Sequence, residues 1–184
     1  MWFGVACDEQ RVFGTSFATT QQKALKSLLD AVPINVHLQL FSEPTAFAED
    51  VISLVKDVYE GKDTSQVLPL ATTHLSAYKR RVLEVTAFIP VGYVASYGAV
   101  AEASGGSPRA VGNVMAANPF APVVPCHRVV GAGFTLGGYG GLQVKHEILN
   151  REKRGSTSPR EITVGHGKLQ VFPVEFVLRK LGKA

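Results

Sequence analysis

The spacing of apolar positions changes period several times along the chain. Trp2 to Cys7 and Val12 to Phe17 are β-rich stretches around the polar turn Asp8-Glu9-Gln10-Arg11, which predicts a hairpin. Gln21 to Ala31 puts Ala24, Leu25, Leu28 and Leu29 on one face of a helix. Ile34, Val36, Leu38 and Leu40 alternate with Asn35, His37 and Gln39, a strand period with His37 on the solvent face. After Pro44, residues Phe47, Val51, Leu54, Val55 and Val58 return at helical spacing, and Gly61 is a natural stop. Residues 1–68 thus read as a small α/β domain. The polar stretch that follows, with Pro69 and paired threonines, reads as a linker over 69–75, and 76–184 form the second domain.

That second part begins with a helix over Ser76 to Phe88, where Tyr78, Val82, Val85 and Ile89 share a face and Pro90 ends the run. Tyr93-Val94-Ala95 is short and extended. Ser96 is a good N-cap for a helix Tyr97 to Ala103, and Ser104-Gly105-Gly106 breaks it. Ser107 caps a second helix with Pro108 at its first position, running to about Ala117, where Asn118-Pro119 closes it. Helix, glycine turn, helix is the helix-turn-helix outline. Around the second helix, Val111, Val114 and Met115 cluster on one side. Arg109 and Asn113 lie roughly opposite, with Ala116 beside them and Ala110, Gly112 and Ala117 on the flanks. An exposed face of small side chains around one arginine suits a close approach to a nucleic acid groove. An alanine-rich packing helix fits that face equally well.

The run Val123-Val124-Pro125-Cys126-His127-Arg128-Val129-Val130 sets three reactive residues inside a valine-rich stretch, which reads as a buried strand or extended segment. Polar groups in such a place must find partners, and Pro125 breaks the ladder just before the thiol. By itself the tetrapeptide fits a core cysteine beside a surface arginine as well as it fits a site. A glycine-rich loop follows, Gly131-Ala132-Gly133 and Gly137 to Gly141. It lacks the setting of a dinucleotide or phosphate loop. Leu142 to Glu152 reads as a helix with Leu142, Val144, Ile148 and Leu149 apolar. Ile162 to Val164 and Leu169 to Val171 flank the turn around His166, a hairpin, and Pro173 to Leu181 reads as a terminal helix. The predicted class is α/β (α+β). It combines a small N-terminal α/β domain with a mostly helical C-terminal domain holding a helix-turn-helix and a buried Pro-Cys-His-Arg segment.

Composition narrows the class without naming a function. The chain has 184 residues, 46% hydrophobic and 18% charged, so it has ample core. A net charge of +4 and a pI near 9.1 are compatible with a polyanion partner. Two cysteines, Cys7 and Cys126, make neither a disulfide framework nor a zinc pattern, and the five histidines form no ligand cluster. A reducing, cytoplasmic setting fits that usage. The apolar start meets Asp8 and Glu9 at once and has no basic region, so no signal peptide is expected. No apolar run approaches membrane-spanning length.

Pro125-Cys126-His127-Arg128-Val129-Val130, preceded by Ser107-Pro108-Arg109-Ala110-Val111-Gly112 and Ala116-Ala117-Asn118-Pro119, resembles the O6-alkylguanine-DNA alkyltransferases. The resemblance runs from about Leu75 to Glu152. It implies one-time transfer of an alkyl group from O6 of guanine, and also from O4 of thymine, in duplex DNA to Cys126. Base flipping and irreversible self-inactivation come with it. By the same resemblance His127 acts on the thiol through a water, Glu152 orients His127 and stabilises its charged form, and Tyr97 donates to N3 of the leaving base. Asn118 ties the turn to the active-site segment. Arg109 takes the place of the flipped nucleotide, and Ser107, Ala110, Asn113, Ala116, Ala117 and Arg128 contact DNA. Tyr139, Gly140 and Gly141 line the base pocket, while the carbonyls of Cys126 and Val129 read the exocyclic amine. No cofactor and no metal are implied, and the expected state is a monomer on double-stranded DNA. The segment after Glu152 is longer than in compact relatives.

The chemistry implied is self-consistent. The thiolate is the nucleophile and a free thiol has pKa about 8.5, so a neighbouring base is needed near neutral pH. A thioether has no carbonyl for water to attack, so one chain repairs one base. A target buried in the base stack has to be flipped, at about a few kcal/mol. Two other classes make different predictions. A helix-turn-helix regulator without chemistry leaves Cys126 unexplained. A cysteine hydrolase with a Cys-His-Glu triad predicts turnover and leaves Arg109 idle.

Overall fold

A computed structural model describes residues 1–41, 43–64, 67–137, 142–165 and 167–181. The N-terminal hairpin pairs β1 (Trp2–Cys7) antiparallel with β2 (Val12–Ala18). Asp8 makes its turn: one carboxylate oxygen accepts from the backbone N–H of Gln10 at 2.8 Å and of Arg11 at 2.6 Å. The hairpin packs on α1 (Gln21–Ala31), capped by Thr20, and α2 (Ala46–Tyr59), capped by Thr45. Val12, Val51, Leu54, Val55 and Leu68 form the core between them.

Residues 34–40 are not a strand. They run as turn and irregular chain, and Ile34, Leu38 and Leu40 stay exposed. The alternation was present, but among the described residues no strand pairs with this segment, and the backbone of Val36 turns back to Pro33 O instead. The linker is not free either. Val12 N–H donates to Pro69 O at 2.9 Å and Ala71 N–H donates to Val12 O at 2.8 Å, so residues 69–71 lie along β2.

The second part starts with α3 (Ala77–Ala87), β3 (Tyr93–Ser96), α4 (Tyr97–Ser104) and α5 (Pro108–Ala116). Ser76, Ser96 and Ser107 accept N-terminal N–H groups of α3, α4 and α5. After the cysteine segment come β4 (Val129–Val130), α6 (Leu142–Arg151), β5 (Arg160–Val164), β6 (Gly167–Pro173) and α7 (Val174–Leu181). The four strands order as β4-β3-β6-β5, with β3 parallel to β4 and antiparallel to β6. Leu169 and Val171 of β6 join the main core with Val82, Ile89, Val100, Val111 and Phe120, all buried. Each such side chain contributes roughly 1.5–3 kcal/mol of burial. The segment after Glu152 is therefore sheet and core, which accounts for its length. His166, assigned to the hairpin turn, lies outside the described residues.

Candidate active site

Cys126 stands on a 3₁₀ turn, Cys126–Arg128, and not on a strand. Pro125 leaves the extended region (φ −80, ψ 65), and Arg128 N–H closes back on Pro125 O at 2.8 Å. The strand resumes at Val129, paired with Ala95. A 3₁₀ turn has three residues per revolution, so successive side chains point about 120° apart. Cys126, His127 and Arg128 therefore each reach a different wall, which replaces the two-faced arrangement expected of an extended segment.

The Cys126 sulfur accepts from Asn118 Nδ2 at 3.1 Å, and the same amide donates to Val124 O at 2.9 Å. Asn118 Oδ1 accepts from Phe120 N–H at 3.0 Å, which fixes the amide's orientation. Asn118 thus joins the end of α5 to the cysteine turn. Cys126, 2% exposed, forms the floor of a groove of about 680 Å³. Tyr97, Ala116, Ala117 and Asn118 line it together with Ser27 and Ala31 of α1. Burial, and then the Cys126 charge, push the Tyr97 phenol above its ordinary value, so it keeps its proton.

His127 and Glu152 are fully buried. His127 Nε2 lies 2.8 Å from Glu152 Oε1. Among the described residues its Nδ1 has no hydrogen-bond partner. With Nε2–H turned to the carboxylate, Nδ1 is the nitrogen that can take a proton.

Arg128 was expected on the DNA face, and here the structure corrects the expectation. Its guanidinium turns inward: Nε donates to both Glu152 oxygens at 3.0 and 3.1 Å, Nη2 to Oε1 at 2.9 Å and Nη1 to Ile89 O at 2.7 Å. The third direction of the turn points into the core, where the carboxylate ending α6 supplies a bidentate match. Glu152 therefore serves two residues, and its charge is balanced by Arg128. Burial alone would raise the Glu152 carboxyl, but the His127 and Arg128 interactions outweigh it and hold it at about 2. Burial lowers His127 below its ordinary 6.5 despite Glu152.

Both shifts have the same sign for stability. As pH falls, the unfolded chain takes up these protons first, His127's near 6.5 and Glu152's near 4.5, so folding stability declines. Urea midpoints at constant ionic strength are expected to drop from pH 7 towards pH 3. In Glu152→Gln the part of the fall below 4.5 should be smaller, with the Asp8 contribution remaining. A midpoint flat over that range would contradict the assignment.

On α5, Val111, Val114 and Met115 are buried, while Ser107, Arg109, Asn113, Ala116 and Ala117 are exposed and Ala110 is half-buried. Tyr139, Gly140 and Gly141, assigned to the base pocket, lie outside the described residues. Cys126 O accepts from Val129 N–H, and Val129 O accepts from Lys145 Nζ at 2.6 Å. Sequence reasoning passed over Lys145. Its signal was its helical spacing: 145, 148, 149 and 152 share the stripe that holds Ile148 and Leu149. Cys7 sits in β1, half-buried, far in sequence from all of these groups.

Residues 77–154 match the family model of the DNA-binding domain of 6-O-methylguanine DNA methyltransferase. A methylated-DNA–protein-cysteine methyltransferase of Thermococcus gammatolerans is 34% identical over 160 residues, 83% of this chain and 88% of that one. The O6-methylguanine-DNA methyltransferase of Pyrococcus kodakaraensis superposes with a TM-score of 0.66 at 30% identity, covering 82% of this chain and 90% of that one. The Mycobacterium tuberculosis OGT solved in complex with DNA gives 0.63 at 28% identity, covering 81% and 84%. The chain spans about half the length, 43% to 54%, of three other curated relatives with the same name as the Thermococcus protein. Among the described residues no helix is long and apolar enough to cross a membrane.

Proposed function

This chain belongs to the methylated-DNA–protein-cysteine methyltransferase family, and from that premise we propose that it repairs alkylated DNA by one transfer of an alkyl group from O6 of guanine to Cys126. The observation that carries the reading is the Cys126 thiol, held by Asn118 at the floor of a groove, beside a buried His127–Glu152 pair.

In this reading the thiol proton passes through one water to His127 Nδ1. The sulfur attacks the alkyl carbon, the carbon–O6 bond breaks, and its electron pair stays with the guanine. Tyr97 gives a proton to N3 of the departing base and recovers one from the imidazolium. In net terms the S–H and C–O bonds are lost, and a C–S and an N–H bond are formed. The thioether cannot be hydrolysed, so the protein is consumed. The same chemistry extends to O4 of thymine. Cys126 O and Val129 O read the exocyclic amine, and Tyr139, Gly140 and Gly141 complete the base pocket. The reading treats residues 1–68 as an N-terminal domain joined by 69–75 to the alkyltransferase domain, 76–184, acting as a cytoplasmic monomer without a cofactor.

For DNA, α4 and α5 with the glycine turn between them act as a helix-turn-helix. The exposed face of Ser107, Ala110, Asn113, Ala116 and Ala117 lets the helix backbone approach the groove closely. Arg109, exposed on that face, fills the gap left by the flipped nucleotide. Arg109→Ala is expected to slow repair of duplex O6-methylguanine DNA by about tenfold to a hundredfold, equivalent to about 1.4–3 kcal/mol of flipping cost. Reaction with free O6-benzylguanine should change less than about twofold, since no base is flipped there. Rate measurements on both substrates check this, and equal losses would mean that Arg109 supports the fold. Intact mass after incubation with O6-methylguanine DNA tests the whole reading. One methyl per chain is expected, and catalytic turnover would point to a hydrolase instead.

A further inference from the structure

One buried cation has no part in the steps above. Lys145 sits on α6, two turns before Glu152, and is fully buried (0% exposed). An ammonium in such a place costs free energy unless its charge and its donors are matched. One donor is matched by Val129 O at 2.6 Å, at the point where the cysteine turn runs into β4. The ionisable group that favours its charged form is Cys126. Among the described residues, the other charged or titratable groups around this site are His127 and Arg128 of the turn, Glu152 just after α6 and Tyr97 of α4. Glu152 is bound by Arg128 through three hydrogen bonds and by His127 through one. Tyr97 keeps its proton, and His127 is neutral near pH 7. A negative charge on Cys126 is therefore faced by Lys145 from α6 while Arg128 is occupied with Glu152.

We propose that Lys145 is a positioning residue for alkyl transfer: its ammonium holds the Cys126 thiolate by charge, and its hydrogen bond fixes the Val129 carbonyl against which the base is read. The inference rests on the alkyltransferase reading for its substrate, and for its geometry on the buried Lys145 ammonium bonded to Val129 O where the cysteine turn ends. The coupling works in both directions, because whatever the thiolate does for the ammonium, the ammonium does for the thiolate. Burial brings Lys145 down to about 8, so the ammonium is present at neutral pH and is given up above that. The device therefore acts where a free thiol, with pKa about 8.5, would be mostly protonated. Alkylation ends the pairing, since a thioether carries no charge.

The test uses the intact protein and two electrophiles. Cys126 alkylation by iodoacetamide and by free O6-benzylguanine is followed from pH 5 to 10 in the wild type and in Lys145→Met, which keeps length and removes charge. The expected result is an upward move of the rate–pH midpoint by about one unit. That corresponds to about a tenfold loss at pH 7, with the two proteins converging above pH 9. A loss of the same factor at every pH would show a structural role and overturn the proposal. A second measurement needs no variant: the Lys145 titration is followed by NMR in lysine-labelled protein before and after Cys126 is alkylated. Its midpoint should fall once the thiolate is gone, and an unchanged midpoint overturns the pairing. The iodoacetamide and NMR arms do not depend on the substrate. If O6-benzylguanine fails to react while they give the expected shifts, the alkyltransferase reading falls and the pairing stands.

Discussion

Cys126→Ser is expected to reduce methyl transfer from O6-methylguanine DNA to the background rate while leaving the fold and DNA binding in place. The serine hydroxyl can accept from Asn118 Nδ2 as the sulfur does, so the turn keeps its tie to α5. What disappears is the thiolate, since a hydroxyl stays protonated beside the same histidine. Cys7 serves as the control. Burial, and then the charge of Asp8, raise its thiol above the ordinary value, so it forms less thiolate than a free cysteine. Cys7→Ser should therefore transfer methyl at the wild-type rate. Labelled DNA and peptide mass spectrometry read both variants. Label on the Cys7 peptide, or persistent transfer in Cys126→Ser, would remove Cys126 from its role.

The second large effect is expected at Glu152, and it divides into two parts. Glu152→Ala leaves Arg128 buried without its carboxylate. Breaking a buried pair in this way costs about 3–5 kcal/mol, enough to leave a large unfolded fraction. Glu152→Gln keeps one acceptor oxygen for His127 and Arg128 and should fold better than Glu152→Ala, so it is the variant for kinetics. His127→Ala removes the base and should slow transfer by about 10²-fold or more. Combining His127→Ala with Glu152→Gln should be little worse than His127→Ala alone, because the pair acts on the thiol as a unit. Both variants should recover part of the rate as pH approaches that of free thiol ionisation. Additive losses in the double variant, with folding confirmed by circular dichroism, would refute the relay.

Local signals in the chain translated well. Ser96 and Ser107 were legible as helix starts because a short oxygen-bearing side chain can reach an N–H three residues on, and that depends on nothing distant; Thr20, Thr45 and Ser76 cap their helices in the same way. The inward and outward faces of α5 were readable for the same reason. The failures share a different cause. Ile34 to Leu40 alternates like a strand, but a strand also needs a neighbouring edge, and alternation says nothing about whether one exists. Arg128 looked like a surface cation because its partner, Glu152, lies 24 residues away and comes close only through the return of α6. Lys145 sat among apolar positions and went unremarked, since one lysine on a helix stripe is easily taken for a residue whose charge reaches solvent. In each case the missing information was a contact distant along the chain.

The two halves are joined by main-chain bonds and by a few side chains: Thr15 Oγ1 donates to Ala121 O at 2.9 Å, Arg151 Nη1 to Tyr59 O at 3.2 Å, and Arg154 Nη2 to Gly61 O. Thr15 N–H donates to Pro119 O at 2.9 Å, while Val12 exchanges bonds with residues 69 and 71. Any residue except proline can supply the main-chain donors, whereas the Thr15 hydroxyl and the Arg151 and Arg154 guanidiniums are demands on particular side chains. The junction also demands that the hairpin keep its shape. A substitution among the first seventy residues therefore bears on the loop that carries Asn118 and Cys126 most directly at Thr15, whose main chain and hydroxyl both reach it.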